Sequence, residues 1–109
     1  MELAFESQEI RAICEQQHVA IEELGPVVAA ALQRRLADLQ AASSPLDVPL
    51  GRLLLSKSTS RPIMALPLVN GHRLVFTSNH VNDPVTSAGT IDLQHITRLR
   101  VLGVEVCDE

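Results

Sequence analysis

Arginine is the residue type in this chain best fitted to chemistry, because its planar fork of donors grips the oxygens of a phosphate. Arg73 sits just past an Asn-Gly turn in "PLVNGHRLVF", and Arg98 and Arg100 alternate with apolar residues in "ITRLRVLGVEV". Lys57 and Arg61 flank the Ser/Thr-rich stretch "KSTSR", where they either bind phosphate or serve as ordinary loop charges. His72, beside Arg73, is a residue type suited to proton transfer near neutral pH. His80, Asp83, Asp92 and His95 gather in one long connection, but their spacing matches no standard metal pattern and reads as surface polarity. Cys14 and Cys107 form neither a C-x-x-C pair nor a zinc spacing, so they read as independent thiols.

The elements that must position these groups are legible in outline. "MELAFE" alternates Leu3 and Phe5 with Glu2, Ala4 and Glu6 and predicts a short strand. Ser7 is suited to cap a helix, with Glu9 in its first turn, and Ile10, Ile13, Cys14 and Ile21 follow at helical spacing. Gly25-Pro26 ends that helix and starts a second. In the second, Val28, Leu32, Leu36 and Leu39 form one apolar stripe, with Arg34 and Asp38 spaced i, i+4 outside it. "SSPLDVPLG" reads as a loop.

Asn70-Gly71 then predicts a two-residue hairpin between 62–69 and 72–78. Pro62 and Pro67 remove backbone donors, which suits an edge strand or a bulge. Such a turn sets residue 68 opposite 73 and 66 opposite 75. His72, Leu74 and Phe76 then share the helix-covered face with Val69 and Ala65. Arg73 lies on the other face, near Leu68 and Val75. After the polar connection "SNHVNDPVTSAGTIDLQH", the last strand sets Thr97, Leu99 and Val101 against the helices and leaves Arg98 and Arg100 on the open face with Arg73. Its apolar phase changes near Gly103, which predicts a bulge. Three arginines on one sheet face make a phosphate site. Met64, Leu66, Leu68 and Val75 would make the same face partly apolar, as for a protein partner, and ordinary solvated strand charges are the third reading.

The 109 residues suit a single domain spanning 1–109, and 46% of them are apolar, enough for one core. No apolar run approaches the roughly 20 residues needed to cross a membrane. The acidic start "MELAFESQE" is unlike a targeting segment, so the expected location is the cytoplasm. The net charge is −4, with six acids and one Arg in residues 1–24 and five basic residues against two acids in 25–61. Two Phe and no Tyr or Trp leave little for bases to stack on, which argues against a strong, indiscriminate nucleic-acid binder. The expected class is α+β, with a short N-terminal strand and two helices packed on one face of a small twisted antiparallel sheet.

Four segments in this order, "LGPVVAAALQRRLADLQAA", "VPLGR", "NGHRLVF" and "ITRLRVLGVE", resemble the HigB-like killer proteins of the RelE/ParE toxin superfamily. The resemblance runs from about the first helix to Glu105. It implies a RelE/ParE-like fold and the toxin of a bacterial type II toxin–antitoxin module. It also implies a helix-turn-helix, HigA-like antitoxin as partner, no cofactor, and ribosome-dependent cleavage of mRNA. The alternative within the same resemblance is a non-nuclease binding protein, either an antitoxin-binding relic or a gyrase inhibitor.

Metal-independent RNA cleavage is attack by a 2′-hydroxyl on the neighbouring phosphate. It needs a base, a cation on the phosphate oxygens and an acid for the leaving oxygen. The expected catalytic residues are Arg73 on the phosphate and Asp108 as base. Asp108 and Cys107 stand in the tail where similar toxins carry Tyr or His. Arg98, Arg100, Lys57 and Arg61 are the expected RNA-binding residues.

Overall fold

Ser7 caps the first helix as its hydroxyl predicts, accepting a hydrogen bond from the Ile10 amide at 3.2 Å. The computed structural model describes residues 1–48, 63–80, 82–89 and 91–106 in full, and 52–55 and 62 through their backbone. Among these residues the order is β1 (Glu2–Phe5), α1 (Gln8–Glu15), α2 (Gln17–Leu24), α3 (Pro26–Ala41), β2 (Arg52–Leu55), β3 (Pro62–Pro67), β4 (His72–Ser78) and β5 (Arg98–Val106). The class is α+β, as expected. Two details differ: there are three helices rather than two, and the sheet is mixed.

The additional helix arises at Gln16, whose extended backbone splits the expected first helix. Its amide donates to the Ala12 carbonyl while its own carbonyl accepts from Val19 and Ala20, so one residue closes α1 and opens α2. On a straight helix Cys14 and Ala20 would point about 120° apart. The break lets both be buried. Pro26 then starts α3 in the position where its missing N–H costs nothing. The predicted stripe Val28, Leu32, Leu36 and Leu39 is fully inside. On the outer side Asp38 pairs with Arg35 at 2.9 Å, an i, i+3 contact, rather than with Arg34.

The strand order is β1-β5-β4-β3-β2. β5 inserts between β1 and β4, antiparallel to β4 and parallel to β1. The parallel pair is possible because the whole helical layer intervenes between the two strands in the chain. β2, the segment RLLL, was not anticipated; it pairs antiparallel with β3. The amine of Met1 reaches the carbonyls of Gln40 and Ala42 at 2.9 Å each, which ties β1 to the end of α3.

The hairpin holds the turn that Asn-Gly predicts, with positive φ at both Asn70 (57°) and Gly71 (75°). Its register, however, is shifted by one. The His72 amide donates to Val69, but the His72 carbonyl accepts from Leu68 rather than from Val69, so two residues oppose one. Pro67 therefore faces Arg73, Leu66 faces Leu74 and Met64 faces Phe76. A one-residue slip exchanges the faces of a strand. Met64 and Leu66 thus join Leu74, Phe76, Leu99 and Val101 in the core against Leu32, Leu36 and Leu39. Ala65 moves to the other face, and Leu68 rather than Val69 packs on the core. Each fully buried Leu, Met or Phe contributes about 1.5–3 kcal/mol, which is why the apolar pattern overrides the simplest turn geometry.

The predicted bulge in the last strand is present. Phe76 pairs with Val101 but Val75 with Gly103, so Leu102 is the extra residue. Gly103 carries φ of 147°, a conformation that side chains other than hydrogen rarely adopt. No helix among the described residues is long and apolar enough to cross a membrane.

Candidate functional site

Arg73, Arg98 and Arg100 share the sheet face turned away from the helices. Leu99 and Val101, which alternate with Arg98 and Arg100, are fully buried on the helical side. Arg73 likewise alternates with the buried Leu74, while His72 falls on the face opposite to it. Thr97, expected among the core residues, is exposed and precedes the strand.

The slipped register changes the character of this face. Met64 and Leu66 have left it for the core, so the neighbours of Arg73 across β3 are Pro67 and Ala65. The face is thereby less apolar than strand alternation about a two-residue turn implies, although Ala65 and Val75, which remain on it, are buried.

The three arginines are spread along it. Arg100 pairs with Thr77 and Arg73 with Glu105. Four residues of β4 thus separate Arg73 from the level of Arg100, about 13 Å along the strand. Arg98 lies one alternation from Arg100 on the same strand, about 7 Å away.

Each guanidinium carries a carboxylate from within the chain. Arg73 meets Glu105 at 3.0 Å, Arg98 meets Glu2 at 3.2 Å, and Arg100 meets Glu6 at 3.5 Å. Arg100 also donates twice to the Asn79 side-chain oxygen, at 2.9 and 3.2 Å. These acidic partners were not anticipated from the sequence. The signal was present in and just after β1, where Glu2 and Glu6 flank Leu3 and Phe5 as the arginines flank Leu99. Reading it required knowing that β1 lies beside β5. Arg73 is the most enclosed of the three, its side chain 23% exposed, and its Nε is buried without an acceptor among the described residues.

Lys57, Arg61, Cys107 and Asp108 lie outside the described residues. His72 turns its Nδ1 to the Asn70 carbonyl at 3.1 Å. In the long connection, His80 Nε2 accepts the Thr97 amide, whereas His95 Nδ1 lies 2.6 Å from Asp92 Oδ2. The two histidines therefore serve different partners, and no group of three metal-ligating side chains forms among the described residues.

One concave surface among the described residues lies on the helical side. A groove of about 390 Å³ between β1, α1 and α3 is lined by Leu3, Phe5, Arg11, Cys14, Glu15 and Gln33, among others. Within it Arg11 stacks on Phe5 at 5.6 Å and pairs with Glu15 at 3.3 Å. Burial pushes the Cys14 thiol up to about 11, with the Glu15 carboxylate adding to the effect. Cys14 is therefore a packing residue and not a nucleophile. Comparison with protein-family models, with curated proteins and with solved structures returns no match to this chain.

Proposed function

We propose that this protein is the toxin of a bacterial type II toxin–antitoxin module, active in the cytoplasm as a ribosome-dependent mRNA endonuclease. The ordered motifs that resemble the HigB-like killer proteins motivate the reading. One structural observation carries it further: Arg73, Arg98 and Arg100 lie on a single sheet face from which Met64 and Leu66 are withdrawn. Such a face suits the phosphates of an extended RNA strand better than it suits an apolar partner.

The carboxylates on that face do not block it. Exposed ion pairs contribute about 0–1 kcal/mol each, while hydrogen bonds from a guanidinium to a charged acceptor contribute about 1.5–3 kcal/mol. A phosphate held by the ribosome in the right place displaces Glu2, Glu6 or Glu105. Until then the pairs keep the arginines extended over the sheet. A helix-turn-helix antitoxin is the partner of this reading.

A second reading draws on the same pairs. A face whose three cations are each neutralised internally suits a protein that binds an antitoxin, or gyrase, without cutting RNA. Induced expression in bacteria separates the two. Growth and mRNA 5′ ends are followed for the wild type and for the combined Arg73→Ala, Arg98→Ala and Arg100→Ala variant. Arrest with new ends inside coding regions, both lost in the variant, is the expected result. Arrest without new ends moves the target to gyrase or another protein. Unimpaired growth with folded wild-type protein removes the toxin activity altogether.

A further inference from the structure

We propose that Asn79 is a positioning residue of the arginine face: it holds Arg100 by one edge of its guanidinium and turns the other edge to a phosphate of the bound RNA strand. The assignment rests on the endonuclease reading above.

Arg100 is held differently from the other two arginines. Among the described residues, the side-chain partners of Arg73 and Arg98 are carboxylates, Glu105 and Glu2. Arg100 donates from Nε at 3.2 Å and from Nη2 at 2.9 Å to the side-chain oxygen of Asn79. Nε and Nη2 lie on one edge of the planar fork, so the two bonds together fix its plane. An amide oxygen carries no charge. It orients the guanidinium and leaves the positive charge in force, where a carboxylate would cancel it.

Two of the five guanidinium hydrogens are spent on Asn79. Both hydrogens of Nη1 and the second of Nη2 remain, and they form the edge that matches two phosphate oxygens. Glu6 stands 3.5 Å from Nη1, long for a charge-assisted hydrogen bond, and its own side chain is 49% exposed. The Arg100 side chain is 42% exposed, so this edge is open to a ligand. A phosphate enters by displacing Glu6 and leaves the two bonds to Asn79 in place.

The sheet fixes Asn79 in turn. Thr77 pairs with Arg100 and Ser78 with Leu99, which brings Asn79 opposite Arg98. The Asn79 amide donates to the Arg98 carbonyl at 3.0 Å, and the next residue, His80, accepts the Thr97 amide at 3.1 Å. Ser78 is fully buried, so the alternating Asn79 side chain falls on the arginine face. It reaches diagonally across the strand pair to Arg100 rather than to Arg98 directly opposite.

The experiment uses the whole purified protein and a fluorescein-labelled single-stranded RNA, with binding followed by anisotropy across a salt series. Arg100→Ala is expected to weaken binding about 10–100-fold and to lower the slope of log K against log salt by about 0.7. Asn79→Ala is expected to weaken it about 2–10-fold, through lost orientation. Asn79→Asp is expected to weaken it as much as Arg100→Ala with the melting temperature unchanged, because aspartate keeps both hydrogen bonds and cancels the charge. A purely structural Asn79 is served equally well by Asp. Added to Arg100→Ala, Asn79→Asp is expected to bring little further loss. An equal loss with and without Arg100 means that the new charge repels RNA from a distance, and it overturns the assignment. Asn79→Ala or Asn79→Asp binding as tightly as the wild type overturns it too, and leaves the phosphate face standing where Arg100→Ala is impaired. Wild-type protein that binds no RNA at low salt, or Arg100→Ala that binds like the wild type, overturns the phosphate face as well.

Discussion

Cys14 is where burial speaks most plainly at the scale of a single residue. The thiol is held up to about 11 against an ordinary value of 9.0, by desolvation first and by Glu15 second. A raised value means that the folded chain keeps a proton that the unfolded chain gives up between those two limits. Stability attributable to this thiol is thus complete below pH 9 and is lost as the pH rises towards 11. Comparing urea unfolding of wild type with Cys14→Ala isolates the effect from other titrations. The stability difference between the two is expected to be constant below pH 9 and to narrow between pH 9 and 11. A constant difference across that range would mean that Cys14 is far more hydrated than its 6% exposure indicates. The arginines are the contrast at this scale, since their partners are exposed carboxylates that a stronger acceptor can replace.

At the scale of the element, Leu66 tests the hairpin. Strand alternation about a two-residue turn puts Leu66 on the open face, where truncation costs little. The slipped register puts it in the core, fully buried beside Leu74. Leu66→Ala is therefore expected to cost about 2–5 kcal/mol by denaturant titration. A cost below 1 kcal/mol would restore the unslipped pairing. Gly103 tests the bulge. A Cβ there would meet only Ile10, at 3.9 Å, so space is available and the obstacle is the positive φ. Gly103→Ala is expected to cost about 1–3 kcal/mol, read as a lowered melting temperature. The two elements also show what the sequence could and could not disclose. The Gly103 bulge was legible because the apolar phase changes beside a glycine. The α3 stripe and the Ser7 cap were legible because each depends on residues within a few positions of one another. The bulge at Leu68 and Val69 was not, because both residues are apolar and neither marks which of them joins the ladder. The break at Gln16 has no Gly or Pro to announce it; it follows from the need to bury Cys14 and Ala20 together. The parallel pairing of β1 with β5, and with it the glutamate partners of the arginines, is a contact across nearly the whole chain that no local pattern encodes.

The whole molecule is acidic, with a net charge of −4, yet it presents a sheet face with three arginines. The acid-rich start of the chain resolves this, since β1 carries Glu2 and leads to Glu6, and both lie against β5. Glu105 does the same for Arg73 from the other end of that strand. The face is thus balanced by design of the topology, and its affinity for phosphate depends on how readily the balance is broken. Removing the three carboxylates together, as Glu2→Gln, Glu6→Gln and Glu105→Gln, raises the net charge by three and frees three guanidinium groups. Binding of a short single-stranded RNA, followed by fluorescence anisotropy across a salt series, is expected to tighten at low salt. The slope of log K against log salt is expected to steepen by about 0.7 for each arginine that gains a phosphate. Stability is expected to change little at Arg98 and Arg100, whose exposed pairs contribute about 0–1 kcal/mol each, and to fall further at the more enclosed Arg73. Tighter binding with an unchanged slope would mean that charge acts at a distance, without new phosphate contacts. Unchanged affinity at low salt would mean that the arginines serve the sheet and its carboxylates alone. In that case the working surface of the protein lies elsewhere, and the groove between β1, α1 and α3 becomes the place where a partner must be sought.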